Sequence, residues 1–192
     1  MTTPALGRPR SETARRAILN AVDDMLVEEG YAAMTMKGIA ARAGVGKQTV
    51  YRWWSSKAEI LLEASAEDAA AELATRPGAD AVADLTAYVE AVVRFLTDSH
   101  AGLAYRALLG EAQHDPAVAE LVRRADVLGP SARAVIDRAT GRGDLPARLD
   151  PADAVAELIG PILYRVLTGD GDRSPARSRR YVQRYLNRVA DR

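Results

Sequence analysis

Apolar residues recur three and four positions apart along nearly the whole chain, whereas β-branched alternation is scarce and no Asn-Gly hairpin turn occurs. That period matches one face of an α-helix and not the two-residue repeat of a strand, so an all-α chain of about nine helices is expected. The first runs from about Glu12 to Glu29, with Ile18, Val22, Met25 and Leu26 on one stripe and Gly30 as its stop. Thr35 caps a short second helix to Arg42, Gly44 breaks it, and a third runs from about Lys47 to Trp54. Ser55 or Ser56 starts a fourth that reaches Thr75, before Pro77-Gly78. Asp80 caps a helix carrying Val82, Leu85, Val89, Val92, Val93 and Leu96, and His100 to Gln113 forms the next. Asp115-Pro116 and Asp150-Pro151 open helices to about Thr140 and Thr168, the former with a kink or interruption at Gly129-Pro130. A basic helix ends near Arg192.

Charge is balanced in total, 26 Lys+Arg against 26 Asp+Glu, but not in distribution. Residues 1–57 carry net +4, residues 58–172 net −10 and residues 173–192 net +6. Such a partition suggests that one part meets a polyanion while another part serves a different role. With no cysteine, a disulfide scaffold, Cys-ligated zinc, iron–sulfur chemistry and thiol catalysis are excluded. The two histidines, His100 and His114, fall at opposite ends of one helix, so neither a metal site nor a cofactor is expected. The first residues have no apolar signal core, and no stretch approaches the roughly 18 apolar residues of a membrane span. A soluble cytoplasmic protein with no membrane partner is the expectation.

Residues 36–54, MKGIAARAGVGKQTVYRWW, carry the most chemistry. A helix-turn-helix needs a small residue where its helices touch, a glycine for a tight turn with positive φ, and apolar inner faces. Ala40 and Gly44 meet the first two needs, and Ile39, Ala43, Val45, Val50 and Trp54 the third. Lys47, Gln48, Thr49, Arg52 and Trp53 are left pointing outward, a set suited to base edges and phosphates. The plain alternative is a solvated face between two short amphipathic helices. Two flanks favour nucleic acid: a Gly-Arg-Pro-Arg arm holding Arg8 and Arg10, which could reach along a duplex, and Lys57 in the first turn of the fourth helix.

From Arg15 to Ile60 the sequence resembles the DNA-binding domain of the TetR/AcrR family of bacterial transcriptional regulators. The resemblance rests on Ala17-Ile18-Leu19, Gly30-Tyr31, Thr35-Met36, Ile39-Ala40, Ala43-Gly44-Val45, Lys47, Thr49-Val50-Tyr51, Trp54, Ser56-Lys57 and Ile60-Leu61. It implies base or backbone contacts from Lys47, Gln48, Thr49, Arg52 and Trp53, and phosphate contacts from Thr35, Tyr51 and Lys57. The sequence departs from the family at Gly46, where a Ser or Thr cap is common, and at Trp53, where His or Tyr is common. Packing against neighbouring helices is the alternative role for Tyr51 and Trp53.

Residues 58–192 are expected to form a helical effector-binding and dimerisation domain following a DNA-binding domain at 1–57. Arg142-Gly143-Asp144-Leu145 and the Gly160–Arg165 stretch resemble the family's C-terminal domain, which implies a four-helix dimer bundle. Segment 152–168 is apolar on nearly every side, more than one core face needs, so a partner surface is expected there. Leu158, Ile162, Leu163, Val166, Tyr181 and Tyr185 are its expected members. A small-molecule pocket would lie between Asp80 and Thr140, with Tyr88, Phe95, His100, Tyr105 and Gln113 as candidate lining. The reading is therefore a homodimeric regulator of a palindromic double-stranded operator, a repressor released by an unknown small molecule, and not an enzyme. The alternatives are an all-α carrier or enzyme with an incidental helix-turn-helix, and a regulator with no small-molecule effector. No Ser/His/Asp group, phosphate loop or metal spacing favours an enzyme.

Overall fold

A computed structural model describes residues 8–146, 148–169 and 174–190, with no strand among them. Ten helices form among the described residues: α1 (Arg8–Ala33), α2 (Met36–Arg42), α3 (Lys47–Tyr51), α4 (Lys57–Glu72), α5 (Ala81–Asp98), α6 (His100–Glu111), α7 (Pro116–Ala125), α8 (Gly129–Gly141), α9 (Pro151–Leu167) and α10 (Pro175–Ala190). The tenth arises at the expected interruption. Asp126 adopts the left-handed conformation (φ 44, ψ 50) that ends α7, and α8 restarts with Pro130 in its first turn. Starts follow the expected caps: the side chains of Thr35, Ser56, Asp80, Asp115 and Asp150 each accept a backbone N–H of the turn they open.

α1 bends at Gly30, whose φ of 76 and ψ of 161 break the helical path before Ala33. α4 lies centrally and packs against α1, α5, α6 and α7. It buries Ile60, Leu61, Leu62 and Ala64, and Ser65 Oγ donates to Ala101 O at 3.0 Å. One apolar cluster consequently runs from Ile18 to Val189 without a gap at the expected boundary after Lys57.

Two polar devices lock the larger bundle. Asp84, fully buried on α5, accepts the Gly78 N–H and forms an ion pair with Arg142 at 2.8 Å, with the Arg138 guanidinium 3.7 Å away. Burial pushes its carboxyl up, but the Gly78 N–H and both guanidiniums outweigh that and hold it below the usual carboxylate range. Asp144 meanwhile accepts the Ala81 N–H at 3.1 Å and Arg142 Nε at 3.0 Å. The Arg142-Gly143-Asp144 motif thus ties the end of α8 to the start of α5.

The second device explains a proline inside a helix. α9 continues through Pro161, which has no N–H to offer the carbonyl of Glu157 four residues back. The Tyr181 hydroxyl of α10 donates into that gap, 3.0 Å from Glu157 O and 2.7 Å from Leu158 O. Tyr185 reaches Ala154 O one turn earlier, at 3.2 Å. α10 is therefore stitched onto α9 within one protomer and packs along α5 as well.

Candidate nucleic-acid interface

α2 ends in a turn whose hydrogen bonds require Gly44. Its φ of 65 lets Val45 N–H reach Ala40 O at 3.0 Å and Gly44 N–H reach Ala41 O at 3.2 Å, the paired bonds of a Schellman motif. α3 then begins at Gly46, which offers no side-chain cap. Ile39, Ala40, Val50 and Trp54 point inward and are buried, with Ala43 and Val45 half-buried against them. Lys47, Gln48, Tyr51 and Arg52 are exposed and Thr49 is half-buried. Thr35 and Lys37, at the start of α2, are exposed too. Lys37 lies inside the 36–54 segment but was not singled out in the sequence, because attention there fell on the outward residues of α3 and not on those of α2.

The outward set is not a loose fringe. Lys47 Nζ lies 5.3 Å from the Tyr51 ring centre and Arg52 Cζ lies 5.4 Å from that of Trp53. Trp53 packs partly against the core and meets Trp54 edge to face, at 5.4 Å and 84°. Trp54 is buried and donates its indole N–H to Glu63 Oε2 at 2.7 Å, while Glu63 Oε1 accepts Arg15 Nε at 2.8 Å. The Ser55 and Ser56 turn closes as a capping arrangement, with Glu59 accepting from Ser55 and Glu59 N–H donating to Ser56 Oγ. Arg42 grips both Glu28 oxygens at 2.7 and 2.6 Å and so fixes α2 on α1.

Lys57, expected to contact phosphate, is engaged within the protein. Its ammonium donates to Tyr31 O at 2.6 Å and Met34 O at 3.1 Å and lies 4.0 Å from the Tyr31 ring centre. It staples the end of α1 to the start of α4, and burial pulls it below the ordinary lysine value against the pull of Glu111. Arg8 and Arg10 belong to the backbone of α1 rather than to an extended arm before it. Gly7 and the side chains of Arg8 and Arg10 lie outside the described residues.

The five candidate pocket residues do not converge. Tyr88, Phe95 and Tyr105 are buried, whereas His100 and Gln113 are exposed at the two ends of α6. Tyr88 Oη donates to Leu128 O at 3.1 Å and pairs with Ser131 Oγ at 3.1 Å. Burial pushes both tyrosine hydroxyls up to about 12. The expected dimer face needs correction as well. Leu158, Ile162, Tyr181 and Tyr185 are buried inside the protomer, so they have no surface left for a partner. Leu163 and Val166 remain half-buried, and the exposed face of α9 instead carries Ala152, Ala156, Gly160, Tyr164 and Leu167. The four-residue spacing from Ala152 to Tyr164 was the sequence signal for it. Among the described residues no group of three or more His, Asp or Glu side chains could hold a metal ion, and no helix is long and apolar enough to cross a membrane.

Comparison with known proteins places this geometry. Residues 18–64 match the model of the bacterial regulatory proteins of the tetR family, and residues 75–185 match that of the tetracyclin repressor-like C-terminal domain. The HTH-type transcriptional regulator YdeS of Bacillus subtilis is 36% identical over 168 residues, covering 85% of this chain and 84% of its own. The DNA-binding transcriptional repressor TetR of Mycobacteroides abscessus is 31% identical over 162 residues, with 83% and 82% covered. The crystal structure of the TetR family regulator SCO0332 superposes with a TM-score of 0.75 at 28% identity, over 91% of this chain and 97% of that one. With both halves matched, and with a turn held by Gly44 presenting a cationic face, the chain belongs to the TetR family of transcriptional regulators.

Proposed function

We propose that this regulator is a homodimeric repressor that reads a palindromic operator with α3 and leaves it when a small molecule enters the C-terminal bundle. The observation that carries the reading is the division of α3 and the residues after it. Val50 and Trp54 anchor them from beneath, while Lys47, Gln48, Tyr51 and Arg52 stand exposed together. Thr35 and Lys37 extend that face toward flanking phosphates, and Thr49 and Trp53 border it. Lys57 holds the start of α4 to the end of α1 behind it, and Arg8 and Arg10 reach along the duplex. Residues 1–57 act as the reading unit and residues 58–192 as the effector and dimer unit. Two short helices must reach successive major-groove faces about 34–36 Å apart, so the dimer is part of the reading. Repression rather than activation is supported by the mycobacterial relative, itself a repressor. Tyr88, Phe95 and Tyr105 mark the effector region between α5, α6 and α8.

The test is titration against duplex DNA from the gene's own upstream region at several salt concentrations. Each neutralised phosphate releases counterion, so affinity should fall by orders of magnitude between about 50 and 200 mM salt. Absence of binding at low salt would overturn the reading.

A further inference from the structure

Two cations of the exposed face, Lys47 and Arg52, rest on aromatic platforms that are held with very different firmness. Tyr51, beneath Lys47, is 47% exposed and has little packing to fix its ring. Trp53, beneath Arg52, is packed against the core and meets Trp54 edge to face. Trp54 in turn is pinned by Glu63, and Glu63 by Arg15 of α1. A continuous run of contacts therefore leads from α1 through α4 to the guanidinium of Arg52.

A guanidinium held over an aromatic ring, here 5.4 Å from the ring centre, keeps its N–H donors free along its outer edge. Those edge donors are the ones that fork onto O6 and N7 of guanine in the major groove. A side chain already held in that attitude also loses less freedom when it binds. We propose that Trp53 is a positioning residue that holds Arg52 edge-outward to read a guanine, and so sets base preference rather than overall affinity. The inference rests on the DNA reading proposed above, and it assigns to Trp53 a role separate from phosphate contact or simple core packing.

The experiment measures binding across an operator library varied one base pair at a time. It compares wild type, Arg52→Ala, Trp53→Leu, Trp53→Phe and the Arg52→Ala/Trp53→Leu double variant. Arg52→Ala should flatten the preference for guanine at one position per half-site. Trp53→Leu should weaken that same preference by about fivefold, the upper strength of an exposed cation–π contact, and leave other positions and the salt slope unchanged. Trp53→Phe, which keeps a ring, should retain most of it, and its unchanged melting temperature would tie the effect to the site rather than the fold. The double variant should be no flatter than Arg52→Ala alone, because the platform acts through the arginine. Uniform weakening of all sequences with a shallower salt slope, or additive effects in the double variant, would overturn the proposal. If wild type binds no duplex, the DNA reading falls and this inference with it. If Arg52 reads its base unaffected by every Trp53 variant, only the positioning role falls.

Discussion

Asp23 sits on α1 in a polar cleft of about 210 Å³ shared with Arg15, Arg16, Asn20, Glu67 and Asp68. Its Oδ1 is buried and finds no hydrogen-bond partner. Burial pushes the carboxyl up to about 6, with the charges of Asp68 and Asp24 adding to the shift and His100 of α6 opposing it. In the unfolded chain the same group would ionise near 3.8. The stability contributed by its protonated form is thus full below the unfolded value and is lost as pH rises through about 6. At neutral pH Asp23 is a cost, and Asp23→Asn should raise stability there. Because the cleft is partly open to solvent, the gain is discounted to about 1 kcal/mol, or roughly 2–4 °C in melting temperature. It should fall to about half that by pH 5, as wild-type Asp23 takes up its proton. Melting curves of both proteins between about pH 5 and 8 check this, and a pH-independent difference would contradict it.

At the scale of elements, close approach decides more than propensity does. α6 begins so near the end of α5 that a Cβ on Gly102 would stand 1.7 Å from Phe95 O. Neither helix can yield cheaply, since Phe95 and Leu96 on one side and Ala101 and Ala104 on the other are buried. Gly102→Ala should therefore cost about 3 kcal/mol or more. Gly110, eight residues on in the same helix, has open space around its missing Cβ, so Gly110→Ala should be neutral or favourable by up to about 1 kcal/mol. Urea unfolding of the pair is the measurement, and similar midpoints would show that the α5–α6 contact is looser than described. Two turns obey the same logic through φ rather than crowding. Gly143 (φ 82) closes α8 as Gly44 closes α2, with Asp144 N–H on Ala139 O at 2.9 Å.

At the scale of the whole molecule, the proposed homodimer makes the reading of DNA depend on where two copies meet. Tyr164 and Leu167 are 70% and 56% exposed on α9, beyond the small residues Ala156 and Gly160 that would let a second helix approach closely. Leu163 and Val166 flank them. Tyr164→Arg leaves the protomer core untouched but would bury an unpaired charge between copies, which weakens such contacts by about 3–5 kcal/mol. Sedimentation should show a wild-type dimer and a variant that dissociates at least a hundredfold more readily while melting as a folded chain; the variant should also lose operator affinity. A variant as dimeric as wild type would place the interface elsewhere. Leu158→Arg offers the contrast, since Leu158 is fully buried within the protomer and its replacement should unfold the chain instead.

What the sequence determined by itself is what depends on near neighbours. The all-α class, the caps at Thr35, Ser56, Asp80, Asp115 and Asp150, the bend at Gly30 where a stop was expected, the break at Gly129-Pro130 and the turn at Gly44 all follow from interactions spanning a few residues, so spacing and residue type suffice. The outward set on α3 was legible for the same reason: on a helix anchored by Val50 and Trp54, the remaining positions have only one side to face. Contacts between residues far apart in the chain were not legible, because no periodicity relates them. Lys57 turns to the carbonyls of Tyr31 and Met34, and Trp54 joins Glu63 to Arg15. Tyr181 fills the gap that Pro161 leaves in α9, which takes it out of the expected interface. The apolar surplus of residues 152–168 correctly marked a helix with more than one apolar face. Which face turned inward was decided only when α8, α5 and α10 packed against it, because burial is a property of the assembled neighbours and not of the segment that is buried.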